Sequence, residues 1–272
     1  MTVSSATYLI SQLLPEPQAG LLAGMLFGVR ASLSPELYDA LVTSGTLHII
    51  ALSGMNISIL IGVVNLALLR IVKRPAANIL SCGMIAAFIW FVGPSPSVIR
   101  AGIMGGITLL GVSLGRQLWP LLIWMLTIVI MLAFHPPWAG DLSFQLSVMA
   151  TLGILLFGNK TPVDQKSFPR SMIYDLRSFL ENDLRITLAA QVFTVPIIMF
   201  AFGRISLVSP LSNVLIGWLI APVMTLGFLL VAVGSIWLPL GQIIAWLIWV
   251  LLAFMIQAVE LTGKIPFASI SF

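Results

Sequence analysis

The stretch Leu211-Ser-Asn-Val-Leu-Ile-Gly-Trp-Leu-Ile-Ala-Pro-Val-Met-Thr-Leu-Gly-Phe-Leu-Leu-Val-Ala-Val233 contains no Asp, Glu, Lys or Arg. A helix of about 20 apolar residues crosses the ~30 Å hydrocarbon layer of a bilayer, so this run reads as a full transmembrane span. Pro222 within it is expected to kink the helix. The same reading extends outward to Leu240–Leu261, Leu184–Phe202, Leu118–Phe134 and Leu47–Leu69 as further full spans. Ala19–Leu33, Ile79–Val92 and Leu142–Phe157 are shorter, and Val98–Leu114 follows a Pro-containing break, with Arg100 near its start. Short runs serve when their ends are buried in a bundle. The expected fold is all-α: a polytopic transmembrane helix bundle of about eight or nine segments, some short or broken.

Composition excludes a soluble domain. Of 272 residues, 59% are hydrophobic and only 8% are Asp, Glu, Lys or Arg, whereas soluble domains carry about 25%. So few charges cannot cover a globule of this size, and most of the surrounding solvent must be lipid. Residues 1–18 read as a polar N-terminal segment, 19–264 as the membrane domain and 265–272 as a tail. No basic stretch and apolar core precede Pro15 and Pro17, so insertion is expected to be directed by the internal segments. The mixed-charge stretch 159–183 reads as a cytoplasmic loop. With Arg70, Lys73 and Arg74 inside, alternation also places Arg116 and the loop inside, which gathers nine of the 13 basic residues there in accord with the positive-inside bias. The expected location is the inner (cytoplasmic) membrane.

The informative residues are hydrophilic ones among apolar neighbours. Exposing Arg or Asp to hydrocarbon costs about 2.5–3.5 kcal/mol on insertion scales, so such groups face a bundle interior or a cavity. The first cluster is His48, Ser53, Gly54, Asn56 and Ser58, where Gly54 is placed to open the helix and aim polar groups inward; the plainer reading is helix–helix contact. The second is Gly93-Pro-Ser-Pro-Ser-Val-Ile-Arg100, including Ser97. Arg100 either snorkels to the interface or meets an anion inside the protein. The third holds Asp141, suited to cap the next helix, and Gln145 one turn on. Gln191, Thr194 and Pro196 interrupt a later span, and Arg204, Ser206, Ser209, Ser212 and Asn213 surround the following turn.

Enzyme chemistry is hard to assemble from this inventory. The two histidines, His48 and His135, lie far apart, and no metal-ligand spacing is present. Ser53 lacks the glycine two places before it that a nucleophile elbow requires. The lone Cys82 reads as a small packing residue. No catalytic residue, metal or cofactor is expected.

Taken in order, these clusters resemble the ComEC competence-protein family, the membrane competence domain of bacterial DNA uptake. The matching stretches are Gly45-Thr-Leu-His-Ile-Ile-Ala-Leu-Ser-Gly-Met-Asn-Ile, Ser97-Val-Ile-Arg-Ala-Gly-Ile-Met, Asp141-Leu-Ser-Phe-Gln-Leu-Ser-Val-Met-Ala-Thr-Leu-Gly and Phe202-Gly-Arg-Ile-Ser-Leu-Val-Ser-Pro-Leu-Ser-Asn-Val-Leu. The resemblance implies an inner-membrane channel component that takes up single-stranded DNA during natural transformation. A secondary transporter for a small solute is the other class that broken, polar helices would suit. By resemblance, Ser53, Gly54, Arg100, Asp141, Gln145 and Asn213 match family positions. Asn56 stands where many members have His, which keeps hydrogen bonding and removes a titratable group. The expected passage residues are His48, Ser53, Gly54, Asn56, Ser97, Arg100, Asp141, Gln145, Gln191, Arg204 and Asn213.

Full-length members usually also carry an oligonucleotide-binding barrel and a metallo-β-lactamase-like domain, neither visible in this sequence. The implied partners are single-stranded DNA, the lipid bilayer, a DNA receptor, a cytoplasmic translocase, a separate nuclease and further copies of the chain. Alternation predicts that alkaline phosphatase is active when fused after Ala139 and inactive after Arg116; the opposite pattern would reverse the orientation.

Overall fold

The computed structural model describes residues 2–31, 33–52, 54–116, 118–158, 172–266 and 268–271, with the backbone alone for 172–183, 202, 204, 205 and 271. Eleven helices follow in the order α1 (Val3–Leu13), α2 (Gln18–Phe27), α3 (Pro35–Thr43), α4 (Gly54–Leu68), α5 (Arg74–Val92), α6 (Pro96–Ser113), α7 (Pro120–Phe134), α8 (Leu142–Phe157), α9 (Met172–Phe202), α10 (Ser209–Gly234) and α11 (Leu238–Gly263). Local chemistry sets many of the starts. Proline opens α3, α5, α6, α7 and α10 at the first or second helical position, where its missing N–H is no loss. Ser34 caps α3, Asp141 caps α8, and Thr2 with Ser5 forms a capping box on α1.

Five helices among the described residues are long and apolar enough to cross a membrane: α5, α6, the Leu184–Ala201 part of α9, α10 and α11. Shorter apolar helices are α2, α4, α7 and α8. The chain is therefore a helical membrane protein.

Several boundaries differ from the sequence reading. Ala19–Leu33 contains only the 10-residue α2, about 15 Å long at 1.5 Å per residue, too short for a ~30 Å hydrocarbon layer. Every residue from Ala19 to Phe27 is buried, so its apolarity serves protein contacts on all sides. The polar segment 1–18 contains α1, whose Ala6, Ile10 and Leu13 are buried along one helical face. In the stretch read as a loop, 159–171 lie outside the described residues, while 172–183 form the first part of α9. No Gly or Pro occurs from Met172 to Val195, and nothing local stops the helix. Pro196 sits inside α9 and Pro222 inside α10 without ending either. The tail contributes a three-residue strand, β2 (Ser269–Ser271), paired antiparallel with β1 (Arg204–Ser206). This ladder is the one departure from an all-helical architecture among the described residues.

The largest core joins α1, α2, α3, α10 and α11, with Ile10, Leu22, Met25, Leu41, Ile216, Met224 and Ile248 buried in it. Glycines allow its closest approaches. A Cβ on Gly241 would lie 2.9 Å from the Cα of Gly234, and one on Gly227 would lie 2.9 Å from Leu22. Phe27 of α2 meets Phe91 of α5 edge-on at 5.9 Å between centroids, linking this core to the next helices. α4, α6, α8, α9 and α10 contact one another in a closed circuit, with α5 against α4 and α6, and α7 against α6 and α8.

Gly153 of α8 faces the Ala189 carbonyl of α9, so an added Cβ would run into backbone. Gly153→Val should destabilise the protein by about 1–3 kcal/mol, the usual cost of overpacking. Gly106→Ala, whose Cβ would meet nothing within 4 Å, should be neutral. Thermal melting of both variants in detergent checks the pair, and equal melting would contradict the assigned α8–α9 contact.

Candidate functional site

Arg100 lies in the second turn of α6 and is only 6% exposed, so it does not snorkel. Its Nε donates to Ser147 Oγ at 2.9 Å and its Nη1 to Thr151 Oγ1 at 2.6 Å, both on α8. Nη1 also approaches Met104 Sδ at 3.3 Å. These partners are all neutral. On the opposite side, Nη2 would be 2.6 Å from a Cβ placed on Gly54, the first residue of α4. The guanidinium is thus wedged between α8 and α4.

The surrounding helices enter together. Ser97 Oγ, at the start of α6, meets Ser143 Oγ at 2.9 Å and the Ser143 carbonyl at 3.1 Å at the start of α8. Further along, Gly105 of α6 faces Ile61 of α4. The contacts keep the same order along each helix, so α4, α6 and α8 run parallel, with the guanidinium level with the start of α4 and the middle of α8. The break before α4 agrees with the opening read at Gly54: a short 3-10 turn at Leu47–Ile49 precedes it, and α4 begins only at Gly54. Asn56 is buried and its Nδ2 donates to the Met25 carbonyl of α2 at 3.1 Å, which ties the head of α4 to the buried core. Ser58 is exposed and bonds back to the Gly54 carbonyl. Ser53 lies outside the described residues.

A second polar group gathers at the head of α10. Gln191 Nε2 of α9 donates to Ser209 Oγ at 3.1 Å, and Asn213 Nδ2 approaches the same oxygen at 3.4 Å. Ser209 Oγ in turn reaches the Gly45 carbonyl at 3.4 Å, while Ser206 Oγ donates to the Thr43 carbonyl at 2.8 Å. Gly45 has φ of 71°, and a Cβ there would lie 2.6 Å from the Ser209 Cβ. The position therefore demands glycine twice, for its left-handed backbone and for the close approach. His48 hydrogen-bonds the Gly45 backbone and is exposed.

The structure thus brings Ser97, Arg100 and Gly54 into one group and Gln191, Asn213 and His48 into another. Asp141 and Gln145 are occupied locally. Asp141 Oδ1 accepts from the Phe144 N–H at 2.9 Å as the cap of α8, and Gln145 Nε2 donates to the Ala139 carbonyl at 2.9 Å. The Arg204 side chain lies outside the described residues; its backbone pairs with Ser271.

Two sets of residues escaped the sequence reading. Ser143, Ser147 and Thr151 recur every four residues, a spacing that puts three hydroxyls on one helical face, and that signal was present. Asn65, Asn78, Ser81 and Ser113 form the other set. Asn65 Nδ2 donates to Asn78 Oδ1 at 2.9 Å and Ser81 Oγ at 3.1 Å, and Asn78 Nδ2 donates to Ser113 Oγ at 2.9 Å. They join α4, α5 and α6 well away from Arg100, each an isolated polar residue with no local pattern to mark it.

A family model described as "Competence protein" matches residues 25–272, a region that contains both polar groups. The chain belongs to the competence-protein family. This competence-family chain is 25% identical over 206 residues to "ComE operon protein 3" of Bacillus subtilis (strain 168), covering 75% of the chain and 25% of that relative. It thus spans about a quarter of the length of the curated relative it matches. No solved structure matches it.

Removing both neutral acceptors of Arg100 should expose their contribution. Leaving buried donors unsatisfied costs about 1–3 kcal/mol, more for charged groups, so Ser147→Ala with Thr151→Val should lower the melting temperature of the purified competence-family chain. Unchanged melting would show that those hydroxyls do not hold the guanidinium.

Proposed function

We propose that this chain forms a passage for single-stranded DNA across the inner membrane during natural transformation. The observation that carries the reading is Arg100, a cation buried in an apolar bundle with neutral partners, between helices of a closed contact circuit. An intramembrane cation of this kind is costly and marks an ion or substrate path. Membership of the competence-protein family supports the choice of DNA as the substrate class.

The remaining chemistry suits a moving polyanion. The circuit carries hydroxyls and amides, with Ser97, Ser147, Thr151, Gln191, Ser209 and Asn213 along its seams. Neutral donors and acceptors hold a passing strand weakly, and a conduit must release what it binds. A dense row of lysines and arginines would trap it, because each phosphate contact adds affinity through counterion release. The DNA receptor, the cytoplasmic translocase that pulls the strand and the nuclease that removes its complement belong to other chains or domains in this reading, and copies of the chain assemble with them.

Site-specific photocrosslinking during transformation tests it. A benzophenone side chain at Gln191 should capture labelled incoming DNA, and one at Trp246, which is 66% exposed on α11, should not. Gln191→Leu should lower transformation without changing the amount of protein in the membrane. Equal crosslinking at both positions, or none at Gln191 in transforming cells, would overturn the passage. Saturable uptake of a small solute by the reconstituted chain, with no transformation defect on deletion, would favour the transporter class instead.

A further inference from the structure

We infer that the cleft between α5 and α6 holds one acyl chain of a glycerophospholipid, with the ester end of the chain at Trp90 and its tail toward Cys82. The inference is independent of the passage reading.

Both walls of the cleft are helices long and apolar enough to cross a membrane, which places it in the hydrocarbon layer. Its lining includes Cys82, Ile89 and Trp90 of α5 and Ile99, Gly102 and Gly106 of α6. No lining side chain is charged, and the one side-chain N–H or O–H among them belongs to Trp90. A polar occupant would lose its hydration there without replacement, so the occupant is a hydrocarbon.

Size narrows the choice. Cys82 and Trp90 are eight residues apart on α5, about 12 Å at 1.5 Å per residue, most of the ~15 Å that one leaflet contributes to the hydrocarbon. The cleft holds about 440 Å³. Spread over that length it is roughly 7 Å across, against about 10–12 Å for a helix with its side chains. A helix from a second copy or another protein is too thick to enter, and a single acyl chain is not. Gly106 keeps the space open: a Cβ there would meet nothing within 4 Å, so no packing inside the chain calls for glycine at this mid-helix position, where it is a poor helix former. Gly102 lies under Ile89, whose Cδ1 would be 2.5 Å from an added Cβ, and this contact closes the floor.

The cleft also has a polar end. Trp90 is 87% exposed, stands two residues before the end of α5 and makes no hydrogen bond among the described residues. Trp124 and Trp218, by comparison, each donate to a backbone carbonyl. An indole with an apolar body and a free N–H belongs at the membrane interface. There the N–H reaches an ester carbonyl of a lipid whose chain runs down the cleft. Ile99 precedes Arg100 in α6, so the bound chain lies beside the turn that carries the buried cation.

The test uses the full chain in maltoside, with native mass spectrometry to count retained lipid and, as the probe, a phosphatidylethanolamine bearing a diazirine near the end of one acyl chain. Expected are one retained lipid per chain and photolabel on α5 and α6, with at least tenfold less label at Trp246 and Trp249, which are exposed on α11. Gly106→Phe fills the open space and should cut retention and labelling at least tenfold, whereas Gly106→Ala should keep both. Cys82 is the only cysteine, so N-cyclohexylmaleimide on the folded wild-type chain fills the cleft without passing through folding and should act like Gly106→Phe. Trp90→Phe keeps the ring and removes the N–H, and should lower retention several-fold. Unchanged retention and labelling after both filling treatments, or equal labelling of α11, would overturn the site. Unchanged retention in Trp90→Phe would overturn the assigned ester end. A two-chain mass that oxidation locks through a Cys82–Cys82 disulfide, with no lipid retained, would make the occupant a second copy and overturn the lipid assignment.

Discussion

A guanidinium held away from water by neutral groups is the constraint around which this molecule is arranged. Burying a charge is expensive unless its hydrogen-bonding capacity is met. Arg100 meets part of that need through two hydroxyls on one neighbouring helix. To supply them, α8 must lie beside α6 in the same direction and at the same depth. The Ser97–Ser143 pair repeats the requirement one turn away. On the other flank, α4 must begin with a residue lacking a side chain, because Arg100 occupies the volume a Cβ would take. Three helices are thereby packed around one charge.

The rest of the fold supports that arrangement from outside. The short α2, buried on every side, fills the space between α10, α11 and the head of α4, which it holds through the Asn56–Met25 bond. At the head of α10, Gly45 and Ser209 approach closely enough to exclude any other residue at position 45, so the turn leading toward α4 is fixed against the helix that closes the circuit. The Asn65–Asn78–Ser113 set ties α4, α5 and α6 at a separate level. Buried polar networks that are fully satisfied define one arrangement of helices, which matters in lipid because apolar surfaces alone discriminate poorly between packings. Rigid seams of this kind hold the polar groups of the bundle in one geometry.

Much of the architecture was legible in the residues. The apolar runs marked where apolar helices lie among the described residues, five of them long enough to cross a membrane, because a lipid-facing helix must be apolar over its length whatever its neighbours are. Family stretches around Gly45, Ser97, Asp141 and Ser209 were legible too, and they are the segments that begin or precede α4, α6, α8 and α10. The three hydroxyls of α8 could have been read from their spacing. The Asn65 set could not, since its members lie on different helices and none has a distinctive neighbour. Nor could the burial of α2 be read, since a short apolar helix looks alike whether it meets lipid or protein.

The sequence by itself determined that the chain lives in a membrane, where its apolar helices fall and which residues are too hydrophilic to face acyl chains. These follow from transfer free energies, which depend on each side chain and its local run. Only the tertiary structure decided what those residues meet: Arg100 against Gly54 and two hydroxyls, Asp141 and Gln145 against their own helix start, Gln191 against Ser209. Partnership depends on the direction and depth at which separate helices lie side by side, and a hydrogen bond between residues nearly fifty positions apart leaves no trace in either neighbourhood.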